Sequence, residues 1–413
     1  MRKITVVVVG GGPAGMMAAI RAAEIASDVI LIEKKPTLGN KLLLSGKGRC
    51  NLTNACELDL FLERFNNGQF LRDAFNKFFN RDLMNFFENR GLRLKVERQE
   101  RVFPVTDNSS SILEILKEEL LKGKVRIITR NPVKEILVKN KEVKTVILSN
   151  QDSISADSVI LATGGVSYSF TGSDGEGLAL AKFLGHRIVG LRPGLIPLEV
   201  KQDYIKDLEG LTLKNIRLKF KSGKKEVISE VGELLFTGFG ISGPLVLTLS
   251  GEIADLLNNN KEVYCEVDLK PGLTFEKLDS RLIREFKFNP RKSLKNTLKE
   301  LLPLRLIGVF IKLAEIFAEK KTNQVTHSER QKMVALFKAL HLDIKRCRPI
   351  EEAMVTRGGV SLKDIDPKTM ESRLVKGLYF AGEMIDVDAD TGGFNLQAAF
   401  STGYLAGESA ALG

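Results

Sequence analysis

The sequence predicts an α/β chain in which a nucleotide-binding βαβ domain is interrupted by an inserted β-rich module and a helical segment. Three observations carry that expectation. The opening stretch reads strand, glycine turn, helix, strand. The texture turns β-rich after about residue 191 and helical after about residue 275, and Gly, Asp and short apolar runs return from 354 to the end in the style of the opening. The expected division is therefore 1–190 for the first part of the nucleotide-binding domain, 191–347 for the insert and 348–413 for the second part. Within the insert, about 191–274 is expected β-rich and about 275–347 helical. At roughly 150 residues per domain, 413 residues make two or three domains.

The elements follow in order. A β-branched run at 4–9, a helical pattern at 16–26 and an apolar run at 29–32 form the βαβ opening. From 71 to 87, Leu71, Ala74, Phe75, Phe78, Phe79, Leu83, Phe86 and Phe87 recur at steps of one, three and four, which places them on one buried helix face. Another helix is expected at 111–121, strands at 125–128, 133–138 and 143–148, and a short buried strand at 159–161. In the insert, 216–220 alternates as a strand and Ser222-Gly223-Lys224 reads as a hairpin turn. Leu298, Leu301, Leu302, Leu306, Val309 and Phe310 then repeat at helical spacing, with Pro303 as a boundary. Near the C-terminus, 398–405 is helix-like.

Apolar residues make up 43% and charged residues 27%, which excludes disorder, collagen-like repeats and a whole-chain coiled coil. Lys and Arg outnumber Asp and Glu by 62 to 51, a net charge of +11. That surplus attracts nucleic acid, anionic membranes or phosphorylated small molecules alike. It is scattered, with short clusters at 221–225 and 287–295 and no run interleaved with stacking aromatics, so a solvated basic surface is expected. A small-molecule substrate is the expected partner; nucleic acid is not, although the charge leaves it open. Four dispersed cysteines point to a reducing compartment, the cytoplasm. The uncharged stretches 4–20 and 234–251 are broken by glycine and proline, so neither a cleaved signal nor a membrane span is expected.

Gly10-Gly11-Gly12-Pro13-Ala14-Gly15 follows a strand and opens a helix, fitting the G-x-G-x-x-G of dinucleotide sites. There the glycines let a pyrophosphate approach backbone N–H groups at a helix start, which carries about half a positive charge. Glu33 ends the second strand at the spacing from which a carboxylate accepts hydrogen bonds from ribose hydroxyls and repels a 2′-phosphate. The fingerprint alone does not separate FAD from NAD. At the other end of the chain, a strand closes in Gly382-Glu383 and Thr391-Gly392-Gly393-Phe394-Asn395-Leu396-Gln397 opens a helix. Free N–H donors there suit negative charge developing on the pyrimidine end of a reduced flavin, which favours FAD.

Long ordered strings make the reading specific. They are EKKPTLGNKLLLSGKGRCNLTN (33–54), RVFPVT (101–106), ATGGVSY (162–168), GELLFTGFGISGP (232–244), VTRGGVSLKDIDPKTMES (355–372) and LYFAGEMIDVDADTGGFNLQ (378–397). Over nearly its whole length the chain resembles the BaiN-like and YhiN-like FAD-dependent oxidoreductases, within the glutathione-reductase-like flavoprotein fold. The resemblance implies a Rossmann-like FAD-binding domain in which Gly10, Gly12, Pro13, Ala14 and Gly15 hold the pyrophosphate and Glu33 with Lys34 holds the adenosine ribose. It implies that Lys41, Ser45 and Gly46 border the flavin, that Val133 meets adenine through its backbone, and that Ala162, Thr163 and Gly164 run beside the cofactor. Gly382, Glu383, Gly392, Gly393, Phe394, Asn395 and Leu396 would enclose the ribityl chain and ring. The family's usual Phe-Thr-His reads Phe236-Thr237-Gly238 here, so an imidazole is missing at that position.

Cys50 and Cys56 enclose five residues where disulfide-reductase flavoproteins enclose four, so Cys50 is expected to be a packing residue. His186, His327 and His341 stand apart from other ligand types, and no metal site is expected. Asp386, Asp388 and Asp390 are expected to bind backbone N–H groups in their turn. The expected function is an FAD-dependent reductase that takes hydride from NADH or NADPH to a small organic acceptor, with an activated C=C bond as one possibility. A flavin-dependent tRNA-modifying enzyme and a non-catalytic FAD-binding or redox-sensing protein are the alternatives. No catalytic acid or base is assigned.

Overall fold

The computed structural model describes residues 4–25, 28–259 and 261–413, which form two compact units: Met1–Gly194 with Ile350–Gly413, and Leu195–Pro349. In the first unit, β1 (Thr5–Val9), the helix α1 (Pro13–Glu24) and β2 (Asp28–Glu33) form the expected βαβ opening. Of the helix expected over 16–26, residue 26 lies outside the described residues. A five-stranded parallel sheet runs in the order Leu378–Phe380, Ser158–Leu161, β1, β2, Arg126–Thr129. Its central strands are apolar without alternation because both faces are covered; Val6, Val7 and Val8 have no exposed surface. Leu378–Phe380, the last strand of this sheet in chain order, thus lies two places from β1, and its segment reaches the glycine turn.

Two sequence expectations are corrected here. The helix expected over 71–87 is two helices, Arg72–Lys77 and Asn80–Glu88, separated where Phe78 turns extended. Asp82 accepts from the backbone N–H of Phe79 at 2.8 Å, and Asn80 donates to the carbonyls of Asn54 and Cys56. These polar side chains start a new helix while the apolar spacing runs on unbroken. The helical part of the insert, expected to 347, ends with His327–Lys338, and Leu340–Cys347 is a strand. Leu340, Leu342 and Ile344 are buried and alternate with His341 and Asp343, a period of two.

In the second unit, six antiparallel strands close on themselves, from Thr212–Ser222 through Gly232–Thr237, Gly240–Ser242, Leu198–Val200, Leu340–Cys347 and Val263–Asp268 back to Thr212–Ser222. Ser222-Gly223-Lys224 is the expected hairpin, leading to Lys225–Ile228. The uncharged stretch 234–251 resolves into two short strands and the start of the helix Pro244–Asn258. No described helix is long and apolar enough to cross a membrane.

Candidate functional site

The site begins at the turn between β1 and α1. Gly10 has φ +108°, and a Cβ there would lie 2.5 Å from the carbonyl oxygen of Ala162. A Cβ on Gly15 would collide with the carbonyl oxygen of Gly10. These two glycines are dictated by packing. Gly12 is different: it is extended, at φ −80° and ψ −177°, and a Cβ there would meet no protein atom within 4 Å. The protein therefore does not need a glycine at 12, whereas a group approaching the backbone from outside does. Pro13 takes the first helical position, where its missing N–H costs nothing, and Ala14 is buried.

Glu33 holds this turn. One carboxylate oxygen accepts from the N–H of Gly11 at 2.7 Å and the other from the N–H of Lys35 at 2.8 Å, leaving lone pairs for hydroxyl donors. Lys34 is ion-paired with Asp174 and with Glu176, the latter at 3.0 Å. Val133 opens a strand opposite Leu148, and its half-buried side chain packs against the core.

The C-terminal helix Phe394–Leu412 lies directly against α1. A Cβ on Gly403 would collide with the carbonyl of Ala14, and one on Gly407 with that of Ala18. Both steps advance by four, so the helices run parallel, with residue 13 level with residue 402. The later helix then starts eight residues, about 12 Å, before α1. Neither has an acidic residue in its own first turn. Gly382 joins the two regions: a Cβ there would lie 2.8 Å from that of Ala14. Gly393 caps the C-terminal helix at φ +98°, where a Cβ would strike the backbone of Thr53, and Gly392 precedes it at φ +138°. Phe394 turns its ring into the core, 4.7 Å from that of Phe61. Asn395 ties the turn by exchanging hydrogen bonds with the backbone of Ala389, and Leu396 is half-buried. The backbone N–H groups of these three residues precede the first intrahelical bond, from Gln397 to the carbonyl of Gly393, and have no acceptor within the helix.

A polar network sits beside them. The Lys41 ammonium donates to Glu383 at 2.5 Å and to Ser167 at 2.7 Å. Glu383 also accepts from the Thr356 N–H at 2.6 Å and the Ser167 hydroxyl at 2.9 Å. The buried Thr356 hydroxyl accepts from the N–H groups of Val166 and Ser167 at 2.8 and 3.1 Å. Ala162 continues the sheet by donating to the carbonyl of Val9; Thr163 donates to the sulfur of Met384, and Gly164 is at φ +79°. Ser45 donates to the carbonyl of Leu42, and Gly46 is at φ +57°. Sequence reasoning missed Ser167 and Thr356, although both lie in the quoted strings ATGGVSY and VTRGGVSL.

Cys50 is fully buried, and that burial pushes its thiol up to about 12, partly offset by a hydrogen bond with Ser45. His186 is buried, with its ring nitrogens on the carbonyl of Ala181 and the hydroxyl of Ser372. The aspartates correct the turn expectation, because their partners lie far off in sequence. Asp388 accepts from the Asn66 amide at 3.0 Å and lies 3.6 Å from Arg357; Asp390 lies 3.6 Å from Arg64. Asp386 is pushed up by burial, against the pull of Arg192, Arg357 and the Gly358 N–H.

A family model described as the HI0933-like protein Rossmann domain matches residues 4–409. A 3-dehydro-bile acid delta(4,6)-reductase from Clostridium scindens is 33% identical over 406 residues, 98% of either chain. A ribosomal RNA dihydrouridine synthase from Escherichia coli is 28% identical over 410 residues, covering 98% of this chain and 97% of that one. Among solved structures, a 3-ketosteroid delta1-dehydrogenase from Sterolibacterium denitrificans aligns with a TM-score of 0.53 at 12% identity, covering 99% of both chains. That likeness is one of fold.

Proposed function

Because the chain belongs to the HI0933-like Rossmann family of FAD-dependent oxidoreductases, we propose that it is a reductase which uses NADH or NADPH to saturate a C=C bond conjugated with a carbonyl in a small organic acceptor. The observation that carries this reading is the pair of parallel helix starts, offset by about 12 Å along their axes and with no acidic residue in either first turn, joined by Gly382. The residues present fit FAD: the open space at Gly12 admits a diphosphate that a side chain would exclude.

In this reading the N–H groups of Gly12, Ala14 and Gly15, with Gly10 and Pro13 shaping the turn, grip the diphosphate, and Glu33, with Lys34 beside it, orients the adenosine ribose. Val133 offers its backbone to adenine, and Ala162, Thr163 and Gly164 form the wall alongside. Lys41, Ser45 and Gly46 flank the ring, while Gly382, Glu383 and Gly392 to Leu396 close around the ribityl chain and ring. Bound FAD supplies the hydride relay. The protein supplies the field: the N–H groups at 394–396 and the Lys41 ammonium favour negative charge on the ring's pyrimidine end. Glu383 and Ser167 hold Lys41 in place. The four cysteines, unpaired in this structure, suit a reducing cytoplasm.

The two relatives' names share one bond change: a delta reductase saturates ring double bonds, and a dihydrouridine synthase saturates that of uracil. The second therefore favours another acceptor, a pyrimidine in RNA, with the same chemistry. Anaerobic titration of the yellow protein with NADH and NADPH, then with an enone steroid or an unmodified ribosomal RNA transcript, tests both readings. Bleaching by a nicotinamide and recovery with the steroid supports the first, and recovery with RNA alone the second. Persistent colour with both donors removes NAD(P)H from the mechanism.

A further inference from the structure

The longest basic cluster lies in the second unit, where 284–299 carries six Lys and Arg against one Glu. The structure pairs this segment with 318–323. Leu294 and Lys295 donate to the carbonyls of Lys320 and Ala318, Thr322 donates to that of Lys292, and the Thr322 hydroxyl donates to that of Asn289 at 2.5 Å. The pairing sets Lys321 opposite Ser293, two positions from both Arg291 and Lys295, and Thr322 against Asn289, two positions from Lys287; all four cations are exposed. None of these four cations is ion-paired among the described residues. Two aromatic rings stand in the same region: Phe288 is 85% exposed and Phe317, next to the pairing, is 73% exposed. Phe288 already stands between Lys287 and Arg291 in sequence, against the expectation of no aromatic interleaving, and the tertiary pairing adds Phe317.

We propose that this face of the second unit docks single-stranded RNA, with Lys287, Arg291, Lys295 and Lys321 on phosphates and Phe288 and Phe317 stacked on bases. Unpaired cations together with bare aromatic faces are what single strands require, since every base offers a π-face and every linkage a charge. An anionic membrane calls for one helix with an apolar face and a basic face. Here the cations come from a helix end, a turn and an antiparallel pairing instead. The proposal extends the second functional reading by giving it a docking surface, and it concerns binding alone.

The test is fluorescence anisotropy of the flavin-loaded protein with a labelled unstructured RNA of about 20 nucleotides, titrated across salt. Four phosphate contacts predict a slope of log affinity on log salt of about −3. The triple variant K287E/R291E/K295E should lose at least tenfold in affinity and flatten the slope by about 2. F288A should lose roughly tenfold with the slope unchanged. Flavin absorbance and bleaching by NAD(P)H report that each variant is folded and that the reductase reading stands. No RNA binding at low salt overturns the docking face, as do variants that bind like the parent. Binding to phosphatidylserine vesicles in place of RNA overturns it in favour of a membrane surface.

Discussion

At the scale of single residues, the glycine turn separates positions needed by the protein from one needed by a ligand. Gly12→Ala should leave the apo stability within about 1 kcal/mol of the parent, the cost being that of the helix cap alone, because no protein atom lies within 4 Å of the added carbon. It should nevertheless purify colourless. Gly15→Ala should instead destabilise the fold itself, since its Cβ collides with the Gly10 carbonyl; thermal melts of both apo variants, read with visible spectra, check the contrast. Thr356→Val deprives the N–H groups of Val166 and Ser167 of their acceptor. A loss of about 2 kcal/mol or more is expected in denaturant titration. Cys50 gives a pH signature. Its thiol rises from 9.0 unfolded to about 12 folded, so its contribution is complete below pH 9 and lost as pH climbs toward 12. Cys50→Ala should therefore flatten the alkaline limb of a plot of stability against pH.

At the scale of elements, the contact between α1 and the C-terminal helix holds the two candidate cofactor-binding stretches together. Gly403→Val must push the helices apart, at a cost of about 3 kcal/mol or more, with loss of flavin retention as the second readout. Glu408 secures the same pair electrostatically, bonding Arg21 at 2.5 Å and Lys77 at 2.9 Å with only 13% of its side chain exposed. Burial opposes its charge, but these hydrogen bonds outweigh that, and the carboxyl is held below its ordinary value. Its stabilisation is present above pH about 4.5 and lost as pH falls through the lowered value. Glu408→Gln should thus cost about 1–2 kcal/mol at neutral pH, with the gap to the parent closing in acid.

At the scale of the whole molecule, two separate hydrophobic cores, one per unit, should melt as two calorimetric transitions. Every residue assigned to FAD lies in the unit built from the two ends of the chain. Saturating FAD, at about 100 times its dissociation constant, should therefore raise one transition by about 2.7 kcal/mol and leave the other unmoved. A shift of both transitions would contradict that assignment.

The βαβ opening, the glycine turn, Glu33 at the end of β2 and the second glycine pair before a helix were legible in sequence. Each depends on local periodicity or on a backbone conformation that few residues adopt. The break at Phe78 and the strand Leu340–Cys347 were not predicted. Apolar spacing cannot show where a polar side chain restarts a helix, and the short alternation at 340–344 was absorbed into the helical run before it. Glu383, Lys41, Ser167 and Thr356 come from four remote segments, so their hydrogen bonds exist only once the chain has folded. The same holds for the parallel seating of the first and last helices. The sequence by itself determined which backbone positions must be glycine and where charge must reside. Which of those positions face one another was decided by the tertiary structure, because proximity between residues hundreds apart is set by packing and leaves no local trace.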